Sequence, residues 1–202
     1  MHTKPSRTSR ATPRYAGKSV TREEYLDLPE DGFQYDMIKG VLRLSSPSAT
    51  FSHSEAFFEF GARLRDYLKL HPLGRAAVEV DVLLPDGGDV LRPDLSFVSR
   101  ERENIILKHI HGTPDLICES LSDSTAKRDL GDFSLSAGAE APAADRYLAC
   151  GVREYWIVDS RDQSIRVWYN ENGVWEKNEG ALLESRLLPG FAIGAREFWG
   201  GA

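Results

Sequence analysis

Leu116-Ile-Cys-Glu-Ser-Leu121 is an apolar run of strand length with one acid inside it. Side chains alternate across a strand, so Glu119 shares a face with Ile117 and Leu121. An ionised carboxylate on a buried strand face is costly unless it is paired or holds a metal. A polar stretch, Ser122-Asp-Ser-Thr-Ala-Lys-Arg-Asp129, follows directly. Upstream, Asp94 follows Pro93 at the mouth of a second short strand, Leu95 to Val98. Two carboxylates on adjacent strands would converge on a hard divalent cation such as Mg²⁺, which takes oxygen ligands and keeps several waters. The plainer alternative has Glu119 facing solvent or an arginine, with Asp94 capping a turn.

Nearer the start of the chain, Thr21-Arg-Glu-Glu24 is a capping-box pattern that predicts a short helix before Pro29. Phe33, Tyr35 and Met37 alternate with polar residues, and Lys39-Gly40 turns the chain into Val41-Leu44, a hairpin pattern. Ser52 with Glu55 forms a second capping box, and Phe57, Phe60, Leu64 and Leu68 recur at helical spacing until His71-Pro72. Ala76 to Leu84 reads as one strand with Val78, Val80 and Val82 on one side. The Gly/Ala/Ser-rich segment 131–145 is expected to be a flexible insertion, and Arg146 to Cys150 a helix closed by Gly151. Glu154 to Val158 reads as a strand, and Asn172-Gly173 is a type I′ signal for a final hairpin. Helices and strands are mixed with strands in the majority, which predicts an α/β or α+β domain.

The 202 residues, 41% of them hydrophobic, suffice for one domain with a real core, expected over 21–202. No apolar run reaches the ~20 residues of a membrane helix. The basic start carries no apolar stretch of the secretory kind, and two cysteines suggest reduced thiols, so a cytoplasmic location without membrane association is expected. The net charge is −6, and because the first 18 residues contribute +5 without an acid, residues 19–202 carry −11. Residues 1–20 are therefore expected to form a disordered basic tail. An acidic body gives no general electrostatic attraction to nucleic acid, although Arg63, Arg65, Lys69 and Arg75 could form a local basic strip.

The segments Leu91-Arg-Pro-Asp-Leu-Ser-Phe-Val98, Pro114-Asp-Leu-Ile-Cys-Glu-Ser-Leu-Ser122, Asp123-Ser-Thr-Ala-Lys-Arg-Asp-Leu130 and Gly151-Val-Arg-Glu-Tyr-Trp-Ile-Val-Asp159 occur in this order. Together with Asp36-Met-Ile-Lys-Gly-Val-Leu42, Ser52-His53 and Leu188-Pro-Gly-Phe191, they resemble the Uma-type family of restriction-endonuclease-like proteins, part of the PD-(D/E)xK nuclease superfamily. The resemblance spans about residues 21–199. It implies a restriction-endonuclease-like mixed central sheet flanked by helices. It also implies a Mg²⁺-dependent (Mn²⁺ possible) endonuclease acting on DNA phosphodiesters, with Asp94 and Glu119 as metal ligands. Asp129 matches the family's acid on the following helix, but the lysine expected four residues later is Phe133, and counting back from Tyr147 gives Ala143. Lys127 and Arg146 are the nearest cations, and Lys127 is the expected third catalytic residue.

Among other candidates, His53 is expected near the site or on an ordinary helical turn, and His109-x-His111 with Cys118 lacks a fourth zinc ligand. Trp156, Trp168 and Trp175 read as core or sheet packing, and Glu154 as an ion-pair partner. Two functions compete: a metal-dependent endodeoxyribonuclease, expected as a homodimer on DNA, and a catalytically degenerate interaction protein on the same scaffold.

Overall fold

The computed structural model describes residues 12–45, 51–85, 87–121, 126–130 and 142–200. Helix α1 (Arg22–Leu26) starts at the expected box: the Thr21 hydroxyl accepts from the Glu24 N–H while the Glu24 carboxylate accepts from the Thr21 N–H. Strands β1 (Tyr35–Ile38) and β2 (Val41–Leu44) form the predicted hairpin around Lys39-Gly40, both with positive φ. Helix α2 (Phe51–Leu70) ends at His71-Pro72 as expected. Ser52 lies inside it rather than capping it.

The strand expected over Ala76–Leu84 is two strands, β3 (Gly74–Val78) and β4 (Val82–Leu83), in different sheets. The chain breaks at Glu79, whose φ of 51° is incompatible with an extended strand and whose N–H donates to the Asp94 carbonyl at 3.0 Å. Next come β5 (Val90–Leu91), β6 (Leu95–Ser99), a 3₁₀ turn at Arg100–Ile105, β7 (Ile110–His111) and β8 (Leu116–Leu121). One-turn helix α3 (Ala126–Leu130) and α4 (Ala143–Ala149) precede β9 (Glu154–Asp159). The chain closes with β10 (Ser164–Glu171), β11 (Val174–Asn178), β12 (Leu182–Glu184), β13 (Ala192–Gly194) and α5 (Ala195–Phe198). Asn172 and Gly173 both take positive φ, as a type I′ turn requires.

The central sheet has the order β11-β10-β9-β8-β6-β3, with β8 and β9 parallel and the other pairs antiparallel. A second sheet, β2-β1-β5-β4-β7, covers part of it. Alternation along the central strands sorts their side chains into two layers. Leu95, Phe97, Leu116, Cys118, Trp156 and Val158 pack under Ala56, Phe60 and Leu64 of α2. Ile117, Leu121, Tyr155 and Ile157 pack on the other face against Tyr147 of α4, Val82 and Leu91 of the second sheet, and Leu84 just after β4. The architecture is mixed α+β, with a mixed central sheet flanked by helices. Trp156 and Trp168 are buried and Trp175 is partly buried, in core packing as expected.

The expectation of disorder up to residue 20 needs correction. Residues 12–20 run along β2: Gly17 N–H donates to Leu42 O, Leu42 N–H to Lys18 O and Val20 N–H to Gly40 O, while Tyr15 meets Tyr35 edge-on. Backbone pairing and one aromatic contact hold this stretch, and neither leaves an apolar period in the sequence. Residues 1–11 and 131–141 lie outside the described residues, and 143–145 of the expected insertion belong to α4. Among the described residues no helix is long and apolar enough to cross a membrane.

Candidate active site

Strand pairing brings the two predicted carboxylates together. Leu95 of β6 faces Cys118 of β8 in antiparallel register, so one step on Asp94 faces Glu119. Directly opposed residues share a sheet face. Asp94 Oδ2 accepts the Ser120 N–H at 2.7 Å, and Glu119 Oε2 accepts the Asp94 N–H at 3.2 Å. Each carboxylate is thus fixed by the other strand's backbone. Glu119 is 1% exposed, on the face of Ile117 and Leu121, whereas Asp94 is half-buried at the mouth.

Two like charges, one buried and one half-buried, repel one another when held side by side, and a cation between them would relieve that repulsion. The donor set is oxygen only, and Mg²⁺ is commonly held by one or two carboxylates with waters completing its shell. The pair therefore fits a hard divalent ion. A closed structural metal site would need more: among the described residues no group of three or more His, Cys, Asp or Glu sits close enough to hold an ion. Cys118 points into the α2-side core, away from any such ion. Burial pushes its thiol well above the ordinary value, and the Asp94 and Glu119 charges push it further, so it stays a neutral thiol.

His53 is brought close to the pair. Its Nε2–H donates to the Ser120 carbonyl at 2.7 Å, and the Ser120 hydroxyl reaches the His53 carbonyl at 3.3 Å. The first turn of α2 is thereby tied to β8 beside Glu119. Lys127 lies in α3, the first element after β8, with its side chain outside the described residues. Asp129 on the same helix is fully buried. Ala143 opens α4, and Phe133 lies outside the described residues. Arg146 is bonded to Asp89 in the β4–β5 turn, which is in turn anchored to the Lys39 N–H at 2.7 Å.

Several other expectations resolve differently. Glu154 is buried, but it is held by neutral donors rather than by a cation. Oε1 accepts from the N–H groups of Arg186 and Leu187 at 2.5 and 2.9 Å, and Oε2 from Ser185 Oγ at 2.8 Å and Trp156 Nε1 at 3.0 Å. The basic strip on α2 is largely neutralised within itself. Arg63 pairs with Glu59 and Glu197, and Lys69 with Asp66, leaving Arg65 and Arg75 exposed. His109 faces Asp81 at 3.4 Å rather than Cys118.

The sequence reading missed a cationic feature on the carboxylate face. Asp159, at the end of β9, accepts from Arg161 Nε and Nη2 at 2.8 and 2.7 Å and from Arg166 Nη2 at 2.7 Å. Burial alone would raise the Asp159 pKa, but the Arg161 hydrogen bonds and both guanidinium charges outweigh it and hold the group below its usual value. Glu119 pairs with Ile157, and Ile157 with Arg166, which places Arg166 in the same cross-strand row. Strand parity in the sequence would have shown this had the β9–β10 register been known.

Residues 22–196 match the Uma2 family model, described as "Putative restriction endonuclease". No curated protein matches the sequence. A solved structure described as "a putative nuclease belonging to DUF820 from Anabaena variabilis ATCC 29413" superposes with a TM-score of 0.65 at 18% identity, covering 90% of this chain and 98% of that one. At that identity the likeness establishes a shared fold, the restriction-endonuclease-like one.

Proposed function

The chain belongs to the Uma2 family of restriction-endonuclease-like proteins, and from that membership and the paired carboxylates we propose that it is a Mg²⁺-dependent endonuclease acting on DNA. The observation that carries the reading is the meeting of Asp94 and Glu119 on one sheet face, each bonded to the other strand. An ion bound there supplies a polarised phosphoryl oxygen and an activated water, with Mn²⁺ able to substitute. The chain's own residues do the rest. Asp94 and Glu119 set the position of the ion through the β6–β8 register, and the His53–Ser120 bonds hold that part of β8 against α2. Lys127, on the helix that follows, is assigned to the attacking water or the charge developing on the phosphoryl group. Plasmid nicking with Mg²⁺ tests the reading: wild type nicks, and Asp94→Asn and Glu119→Gln do not. Absence of nicking by wild type overturns it.

One observation favours a second reading, a degenerate scaffold that binds without cutting. The family's lysine position is Ala143 or Phe133, and Arg146, the other nearby cation, is bonded to Asp89. Calorimetry separates the two, because only the nuclease reading requires Mg²⁺ binding that Glu119→Gln abolishes. We further propose a cytoplasmic homodimer; a monomeric mass by light scattering would remove the dimer.

A further inference from the structure

We propose that the free edge of β3 is the surface on which a second copy of this chain pairs, joining two central sheets into one; the inference rests on the homodimer reading above and gives it an interface. β3 is an outermost strand of the central sheet and pairs with β6 alone among the described residues, and Arg75, Ala76, Ala77 and Val78 are all exposed. The Arg100 N–H donates to the Leu73 carbonyl at 2.8 Å, and the Glu79 N–H to the Asp94 carbonyl at 3.0 Å. Residues 73 and 79 therefore turn their peptide groups toward β6, and 75 and 77 do the same, because alternate residues of an antiparallel strand bond to one neighbour. Gly74, Ala76 and Val78 turn their N–H and C=O groups outward.

Such a row of backbone groups is a template for another strand unless something guards it. The opposite edge of the sheet is guarded, because β11 carries Glu176 and Lys177 within its five residues. β3 has only the charge of Arg75, no proline, and no bulge in its register with β6. Apolar side chains flank it instead: Leu70 is 80%, Leu73 38% and Val78 54% exposed.

The order of residues selects a second copy as the occupant. The outward residues are symmetric about Ala76, so a two-fold axis there lets all of them bond: Ala76 to the partner's Ala76, Gly74 to the partner's Val78 and Val78 to the partner's Gly74. Val78 then faces a residue with no side chain. Arg75 faces the partner's Ala77, and the partner's Glu79 lies on a diagonal within reach of a long side chain. Neighbouring registers are worse. An axis at Arg75 would set the two arginines face to face and Val78 against Pro72, which has no N–H to give. An axis at Ala77 would carry Gly74 past the break at Glu79. The axis at Ala76 is perpendicular to the sheet, so both Asp94–Glu119 pairs stay on one face of the joined sheet. Asp94 is opposite Glu79, three residues along and one strand in from the axis, which puts the two Asp94 backbones on the order of 25 Å apart.

Sedimentation of the full chain over a range of concentrations tests the interface, and wild type is expected to be a dimer. Ala76→Pro removes only an outward N–H, so the β3–β6 ladder stays whole; it should weaken the dimer at least ~10-fold with an unchanged circular dichroism spectrum. Val78→Lys should weaken it as well, through a charged side chain on the edge. Ala76→Cys places two thiols across the axis at a Cα separation of ~5.5 Å, within disulfide range, and should give an inter-chain disulfide on mild oxidation. Val174→Cys, at a 66% exposed position on the β11 edge, should not. A dimer that survives Ala76→Pro and Val78→Lys and forms no disulfide through position 76 overturns this interface and leaves a homodimer on another face. A monomeric wild type overturns both. Should Ala76→Pro unfold, Val78→Lys and the oxidation of Ala76→Cys decide. None of these measurements needs cleavage, so the nuclease reading stands or falls apart from them.

Discussion

Glu119 and Glu154 are both 1% exposed and lie on one parallel strand pair, at opposite ends and on opposite faces. Leu116 is opposite Glu154, and Ile157 is opposite Glu119. Glu154 is surrounded by four neutral donors that tie the 185–187 turn to β9, so its charge is spent on holding the framework. Glu119 has the Asp94 carboxylate as its neighbour across the strand pair, an arrangement that a cation between the two would favour. Burial of an acid is therefore ambiguous until its partners are known. Neutral donors around it suit a framework role, and another acid beside it suits the binding of a cation.

The contrast breaks first at Glu154. Glu154→Ala removes the acceptor of four buried or half-buried donors, of which only the Leu187 N–H keeps another in Ser185 Oγ, and should cost about 3–5 kcal/mol in urea unfolding. A loss under ~1 kcal/mol would mean that the knot is not holding the turn. Next, Glu119→Gln should fold cooperatively but lower Mg²⁺-dependent nicking at least ~10²-fold; retention of nicking within a few-fold would remove Glu119 from the metal site. Thermal melts sharpen the same point. In chelator Glu119→Gln should match or exceed wild type by up to ~1 kcal/mol, because it removes like-charge repulsion. Mg²⁺ at about 100 times its dissociation constant should stabilise wild type by about 2.7 kcal/mol and leave the variant unmoved.

The smallest effect is in acid. Burial alone would raise Asp115, yet the Ser99 N–H and Arg102 hold it low, and Asp159 is likewise held low despite burial. Depressed folded pKa values stabilise the native state above the unfolded value of ~3.9, and that stabilisation fades as pH falls through the folded values. The melting midpoint should therefore drop below about pH 4, less steeply in Asp159→Asn. An equal drop in the variant would exclude Asp159 as a contributor.

Much of the fold was legible where local chemistry dominates. The β8 boundaries follow from the Leu116–Leu121 run and the polar stretch after it, α1 from Thr21 and Glu24, and the last hairpin from Asn172-Gly173. The break at Glu79 was hidden because Val78, Val80 and Val82 keep strand parity across it, and only tertiary pairing of its N–H with Asp94 reveals the turn. β12 and β13 are three residues each, too short to carry a period. At the site, placement on strands allowed Asp94 and Glu119 to meet without deciding that they do, and the family resemblance supplied the pairing. Glu154's donors were not legible, because two are backbone groups more than 30 residues away. Arg166 entered only through the β9–β10 register.

Cys118 and Glu119 are neighbours on opposite faces of β8, so deleting one residue from the first half of the strand would carry the thiol to the place of Ile117 on the carboxylate face, turn the acid beneath α2 and set Ser120 opposite Asp94. In this strand the odd or even count of residues decides whether an acid or a hydroxyl meets Asp94.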